Sequence, residues 1–285
     1  MSFAIELVPR VAIFLIIAVS SIPAISSGRM LLLGVSGFYT VGAFASAWFD
    51  GGQPGGTLAL LVGAAAGGLA AAALSAACGR LRGDYFALAT LCFAELVRLA
   101  LLINPPFPGP QGISGVQRGT LFGFPLDATS SIAVAALLCL AAVAAVTAIV
   151  LRSPWASALR AVSDNERAAR TMGLPVNAIR TTALLYAGAW SGLAGALGAR
   201  YLSLADAGSF ALPDSILVLV VLLLAGKPGV FRCIVFGAAI SARSELLRFV
   251  ATGADREIAF AVLLFVAALA VRDDLRSHDT LEALP

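Results

Sequence analysis

The sequence predicts an all-α fold, a polytopic transmembrane bundle of about eight or nine helices that forms one domain over residues 1–285. Of the 285 residues, 60% are hydrophobic and only 12% are charged, whereas soluble domains have about 45–50% and about 25%. The mean hydropathy is +0.94. The apolar residues also form long runs, and a helix needs about 20 of them to cross a bilayer. Too few charges remain to cover a soluble surface.

The apolar runs give the expected membrane helices. They cover residues 7–25, 30–49, 57–78, 85–103, 131–151, 181–202, 210–225, 230–250 and 258–271. The run 230–241 is too short to cross by itself. It is either re-entrant or continues through Arg243 and Glu245, and we favour continuation, with Arg243 and Arg248 reaching toward one interface.

Basic residues predict the orientation, because loops on the cytoplasmic side carry an excess of Lys and Arg. The connections at 50–56, 104–130 and 203–206 contain only Arg118 among basic residues. This pattern places the N-terminus outside and the tail 272–285 in the cytoplasm, although Arg10 lies on the wrong side for it. The basic residues of the alternate connections are Arg29, Arg80, Arg82, Arg152, Arg160, Arg167, Arg170, Arg180, Lys227, Arg232, Arg272 and Arg276.

Small residues recur at close spacing in several spans, which is typical of helices that pack tightly in membranes. The segments Gly67-Gly68-Leu69-Ala70 and Ser191-Gly192-Leu193-Ala194 lie on helices expected to cross in opposite directions. Transporters often contain inverted repeats, but a bias toward small residues also produces such a match by chance. Both interpretations stay open.

The residues that usually perform chemistry are scarce. The four cysteines are far apart without a CxxC pair, and the only histidine, His278, lies in the polar tail. This predicts no metal site and no catalytic constellation. Gly226-Lys227 lacks the flanking residues of a P-loop. We therefore expect neither an enzyme nor a cofactor in this chain, and the absence of a basic face excludes nucleic-acid binding.

Two charges interrupt the span that begins after Gly83. Asp84 suits the N-cap of that helix. Glu95 and Arg98 are three residues apart and share one helix face. A charge at the centre of a membrane costs about 2.5–3.5 kcal/mol on insertion scales. The two residues are therefore either a pathway or gating pair or a buried interhelical ion pair, and the sequence favours neither.

The loop 104–130 is rich in proline and glycine, which predicts a stiff connection with turns on the outer side. Its candidate functional residues are Gly109, Pro110, Gly112 and Ser114. The loop either faces a soluble partner or is a plain connector.

The cytoplasmic stretch 152–180 is the longest polar segment and has helical character. Asp164 is a plausible N-cap and Gly173 a plausible stop. A short amphipathic helix must pack on its own bundle or dock into another protein.

These segments carry a resemblance. Glu166, Ala168, Ala169 and Gly173 resemble the Glu-Ala-Ala…Gly coupling-loop pattern of ABC importer permeases. The chain from about Gly28 to the last span is similar to the branched-chain amino acid permeases, and to their M-type subunit in particular. The segments that carry this similarity are Gly28…Leu33-Gly34…Phe38…Gly42-Ala43, residues 84–99, residues 109–115 and residues 158–173. The chain departs from the family at Val35, where the family usually has His, and in the turn at 225–229.

The resemblance implies an ABC importer permease fold and a pathway for branched-chain or related small amino acids. It also implies four kinds of partner: a homologous second permease, two ATPase subunits that bind the ATP, an extracytoplasmic solute-binding protein, and the lipid of the cell inner membrane. The implied coupling loop is Asp164, Asn165, Glu166, Ala168, Ala169 and Gly173. Gly109, Pro110, Gly112 and Ser114 are the candidates that face the binding protein, and Glu95 and Arg98 would stabilise one arrangement of the bundle or border the pathway. The alternative function is an ion-coupled secondary transporter or a channel for a small polar solute.

Overall fold

Apolar helices make up most of the chain in this computed structural model. The structure describes residues 2–28, 30–50, 56–79, 81, 83–103, 109–117, 119–121, 124–125, 129–226 and 229–241. The predicted span 258–271, the end of the span 230–250 with Arg243, Glu245 and Arg248, and the tail 272–285 lie outside these residues. Arg29, Arg80, Arg82, Arg118, Lys227 and residues 104–108 also lie outside them.

The described residues form ten α-helices: α1 Ser2–Ile22, α2 Val35–Asp50, α3 Thr57–Cys78, α4 Asp84–Ile103, α5 Thr129–Arg152, α6 Pro154–Asp164, α7 Glu166–Thr171, α8 Val176–Leu202, α9 Leu212–Ala225 and α10 Val230–Ser241. A π-helical turn, Pro23–Ser27, follows α1, and a 3₁₀ turn covers Gly109–Gln111. Four strands of two residues each are β1 Ile113–Ser114, β2 Thr120–Leu121, β3 Phe124–Pro125 and β4 Leu204–Ala205. The antiparallel pairs are β1 with β4 and β2 with β3.

The bundle has two different ends. At the α6–α7 end, α6 packs on the π-helical turn after α1 and on α8. At the strand end, β1 pairs with β4 just after α8. Successive long helices alternate in direction between these ends, as the spans of a polytopic membrane protein do.

Among the residues that the structure describes, four segments are long and apolar enough to cross a membrane: Leu7–Ile25, Thr57–Cys78, Asp84–Ile103 and Thr129–Arg152. α2 has 16 residues and α9 has 14, which is less than the ~20 that a bilayer core requires of one straight helix. The fold is therefore an all-α bundle, and the number of eight or nine spans stays a prediction.

The span predicted at 30–49 begins later, because residues 30–34 are not helical. Leu32 is nevertheless fully buried. The Leu33 N–H donates to Thr90 Oγ1 at 3.1 Å, and the Ser36 N–H donates to Ser215 Oγ at 2.9 Å. Hydroxyl groups of α4 and α9 thus satisfy backbone donors that an unwound segment leaves open. Hydropathy does not show that hydroxyl groups of other helices accept hydrogen bonds from this segment. The prediction that the helix begins at residue 30 was therefore wrong for residues 30–34.

Two other boundaries differ from the prediction. α9 begins at Leu212 rather than at 210, because Pro213 lies in its first turn and Asp214 Oδ2 accepts a hydrogen bond from the Ala211 N–H at 3.2 Å. α8 begins at Val176 rather than at 181. Its first turns are polar, so the apolar run underestimates the helix, and the connection after α5 ends at 175 rather than at 180.

Glycines let α8 approach α3 and α2 closely, and α8 makes its most extensive contact with α3. A Cβ added at Gly67 would lie 2.7 Å from the Cα of Gly192 and 3.0 Å from its nitrogen. Gly42 of α2 abuts the backbone of Gly192 in the same way. The two similar segments around Gly67 and Gly192 thus meet at one crossing, where small residues replace the hydrophobic driving force that lipid does not supply.

Candidate functional site

The connection between α5 and α8 forms two short helices with a break at Asn165. Asn165 has extended backbone angles (φ −150°, ψ 97°), and its side chain accepts a hydrogen bond from the Ala168 N–H at 3.1 Å. Its own N–H donates to the carbonyl of Ala161 in α6 at 3.1 Å. Asn165 therefore ends α6 and caps α7. The prediction that Asp164 is the N-cap was wrong, since Asp164 is the last residue of α6.

Gly173 ends α7 as the sequence predicts. Its φ is +80°, in the left-handed region that favours glycine. The Leu174 N–H donates to the Ala169 carbonyl at 3.1 Å, and the Gly173 N–H donates to the Arg170 carbonyl at 3.0 Å. The chain thus turns sharply from α7 toward α8.

One face of α6 and α7 packs on the bundle. Ala169 of α7 is fully buried, as is Leu159 of α6. They belong to an apolar cluster that also contains Ala24, after α1, and Val176 and Ile179 of α8. The Trp155 indole N–H donates to Thr182 Oγ1 of α8 at 2.9 Å. α8 is therefore the long helix on which this segment sits.

An ion-pair network also joins α7 to α8. Glu166 pairs with Arg170 through Oε1 at 2.8 Å and with Arg180 of α8 through Oε2 at 3.4 Å. The side chains of Glu166 and Arg180 are only 12% and 18% exposed. The Nε of Arg180 is buried without a hydrogen bond within the described residues. Glu166 thus links the short helix to the start of α8 through charge.

The opposite face of α7 is open. Ala168 and Gly173 are exposed, and so is Met172, at 67%. Adjacent alanines therefore have opposite environments, since Ala169 is buried against the bundle while Ala168 faces away from it. The face formed by Ala168, Met172 and Gly173 is available to a partner, and we call it the outer face of α7.

Glu95 and Arg98 pair with each other within α4. The Arg98 Nε donates to both Glu95 oxygens at 3.0 Å, and its Nη2 contacts Oε1. The side chains of Arg98 and Glu95 are 39% and 33% exposed in the isolated chain. The pair is thus neither interhelical nor deeply buried, so the alternative of a buried interhelical ion pair is wrong. Asp84, the predicted N-cap of α4, is the first residue of that helix.

The residues predicted to face a soluble partner lie at the strand end. Gly109 and Pro110 belong to the 3₁₀ turn, and Ser114 belongs to β1. Gly112 has a φ of +63° and abuts the carbonyl of Ala205 in β4. This part of the loop is therefore held against the segment after α8, and its role in facing a soluble partner stays a prediction.

A buried ion pair at the same end escaped the sequence analysis. Arg200 Nη2 of α8 lies 2.9 Å from Asp50 Oδ2 of α2, and both side chains are 2% exposed. The other oxygen of Asp50 has no hydrogen bond within the described residues. One signal was available, because Asp50 and Arg200 are opposite charges that occur where two predicted spans end on the same side. Among the described residues, no group of three or more His, Cys, Asp or Glu side chains could hold a metal ion.

Comparison with known proteins assigns the family. The sequence pattern of the family described as branched-chain amino acid transport system / permease component matches residues 3–270. The chain belongs to this family. Together with the four membrane-length apolar segments in the described part of the chain, this makes it a multi-pass membrane protein.

Two curated relatives are described as the high-affinity branched-chain amino acid transport system permease protein LivM. The protein of Salmonella typhimurium (strain LT2) is 31% identical over 274 residues, covering 86% of this chain and 64% of the relative. That of Escherichia coli (strain K12) is 31% identical over 265 residues, covering 83% and 61%. The chain thus spans less than two thirds of the length of these family members. No solved structure matches it significantly.

Proposed function

We propose that this protein is a membrane-spanning permease subunit of an ABC importer for branched-chain or related small amino acids. Separate ATPase subunits supply the energy, and the importer resides in the cell inner membrane. The relatives' description as branched-chain amino acid permeases supports the substrate class. The two-faced helix α7 carries the proposal, because it offers a docking surface to another protein while it rests on the bundle.

The partners follow from this role. ATPase subunits contact the outer face of α7, where Ala168 and Met172 are exposed. A homologous second permease completes the pathway, and a solute-binding protein docks at the strand end near Gly109, Pro110, Gly112 and Ser114. ATP is held by the ATPases, so no cofactor is bound in this chain.

α8 transmits the motion in this proposal. When the ATPases close, they displace α7, which pushes on α8 through Ala169 and through the Glu166–Arg180 pair. α8 in turn packs on α3 and α2. A rigid displacement of packed helices of this kind is a common way to switch between two states. Glu95 and Arg98 border the pathway or stabilise one of its states.

Substitution of the outer face tests the proposal. Ala168→Glu places a bulky charge in the contact with the ATPase without touching the bundle, so we expect loss of ATPase co-purification and loss of uptake. Ala178→Glu is the matched control, because Ala178 is also exposed but lies on α8. Normal co-purification of the ATPases with the Ala168→Glu subunit would remove the coupling role of α7.

The energy source separates the proposal from the alternative transporter. Leucine uptake into vesicles that contain the complex should stop when ATP is withdrawn and continue when the proton gradient is dissipated. The opposite result would favour the ion-coupled secondary transporter.

A further inference from the structure

A cavity near the strand end lies between α1, α2, α8, α9 and α10. Its volume is about 320 Å³, at the small end of the range of roughly 300–1,000 Å³ for ligand sites. Its apolar wall includes Phe14, Tyr39, Phe210 and Leu217. The rings of Tyr39 and Phe210 are 5.0 Å apart between centroids, and those of Phe14 and Phe210 are 6.5 Å apart. The size and the wall suit a small apolar group.

Arg10 contributes a positive charge to this cavity. It is the fourth residue of the span Leu7–Ile25, about 4.5 Å from the start of that span at the 1.5 Å rise of an α-helix. It is exposed and has no ion pair within the described residues. An arginine within a membrane span usually faces a water-filled cavity or reaches the interface, and such residues often serve function. The exception that Arg10 makes to the predicted charge pattern thus has a physical explanation.

Asp214 contributes a negative charge to the same cavity. It lies in the first turn of α9, where Oδ2 accepts the Ala211 N–H at 3.2 Å. No ion pair involves it within the described part of the chain, so Arg10 and Asp214 do not neutralise each other although they line one space. Two opposite charges beside an apolar wall match the ammonium, carboxylate and side chain of an amino acid.

We propose that this cavity binds the transported amino acid, an inference that rests on the proposed function. Arg10 donates to the carboxylate, Asp214 accepts from the ammonium, and the side chain lies against Phe14, Tyr39, Phe210 and Leu217. Recognition of both charged groups explains how one site takes several aliphatic amino acids of similar size.

The first test is transport by the assembled importer in proteoliposomes, with leucine-loaded binding protein at saturation. Arg10→Gln and Asp214→Asn should each lower leucine uptake about tenfold or more, because each removes one charge-assisted hydrogen bond. Hydrolysis of ATP stimulated by the binding protein should continue. The amide oxygen of Asn can still accept the hydrogen bond from the Ala211 N–H, so α9 should stay intact.

Matched controls remove the same charges elsewhere. Arg152→Gln at the end of α5 and Asp84→Asn at the start of α4 lie outside the cavity and should leave uptake unchanged. If wild type takes up no leucine with ATP, the proposed function fails. If wild type transports and both cavity variants transport equally well, the cavity assignment fails while the function stands.

The second test does not depend on the charged variants. Ser209 lines the cavity, and Ser209→Cys places a thiol there for labelling by a maleimide in the assembled importer. Leucine should slow this labelling. Leucinamide, which lacks the carboxylate, and 4-methylpentanoate, which lacks the ammonium group, should not slow it at the same concentration. Equal protection by all three compounds, or none by leucine, would overturn the inference.

Discussion

The two ends of α8 are held by the same chemistry in different environments. At the strand end Arg200 contacts Asp50 at 2.9 Å, with both side chains 2% exposed. At the α6–α7 end Arg180 contacts Glu166 at 3.4 Å, with the side chains 18% and 12% exposed. The first pair joins two long helices directly. The second joins α8 to a short helix and shares its carboxylate with Arg170.

The difference indicates which end of α8 is fixed. A fully buried pair cannot separate without leaving a charge in an apolar interior, which costs several kcal/mol. A partly exposed pair with a second cation nearby can exchange partners at little cost. We therefore interpret the strand end as the anchor of α8 and the α6–α7 end as the part that adjusts when α7 is displaced.

The largest effect should come from breaking the anchor. Asp50→Leu leaves Arg200 buried without its partner, and we expect a loss of about 3–5 kcal/mol in the free energy of unfolding. Denaturant unfolding of the purified subunit in detergent measures it. The double variant Asp50→Leu/Arg200→Met should regain most of the loss, because an apolar pair replaces the ionic one. A loss below about 1 kcal/mol for Asp50→Leu, the value of an exposed pair, would mean that the strand end is no anchor.

The sequence indicated a functional residue in only one of these two pairs. Glu166 was found because it belongs to a recognisable local pattern in a polar segment. Asp50 and Arg200 are 150 residues apart, and each was assigned to a separate span end, so only the packing of α2 against α8 brings them together. The boundary of α2 was missed for a similar reason. Hydroxyl groups of Thr90 and Ser215 stabilise the unwound segment before it, and no local signal near residue 30 shows them.

Composition and spacing nevertheless predicted the membrane-length helices of the bundle. Membrane-length helices at 57–78, 84–103 and 129–152 match the apolar runs to within two residues. Gly173 was identified as a helix stop because few other residues adopt a φ near +80°. Asp164 and Asn165 are both good N-caps, and sequence alone does not decide between neighbours.

An effect of intermediate size on stability should come from the crossing of α3 and α8 at Gly67 and Gly192. A Cβ at Gly67 would lie 2.7 Å from the Gly192 Cα, whereas one at Gly68 would lie 3.7 Å from the Ala189 Cβ, which is ordinary contact. Gly67→Ala should therefore lower the free energy of unfolding by about 1–3 kcal/mol, as overpacking does. Gly68→Ala is the matched control and should be neutral or slightly stabilising, since alanine favours helix. Equal effects of the two variants would show that α3 and α8 separate easily, and α8 would then not transmit motion as one packed unit.

The smallest effect on stability should come from the adjustable end. Arg180→Gln removes the cation that links Glu166 to α8, and we expect a loss of about 1 kcal/mol in the free energy of unfolding, because Arg170 still neutralises the carboxylate. The amount of leucine transported per ATP hydrolysed should fall much more, since the connection from α7 to α8 is weakened. Arg170→Gln is the matched control, because it removes the other cation of Glu166 and leaves the link to α8 in place. If Arg170→Gln lowered transport per ATP more than Arg180→Gln, α7 would act through its own exposed surface, and the comparison between the two ends of α8 would lose its functional meaning.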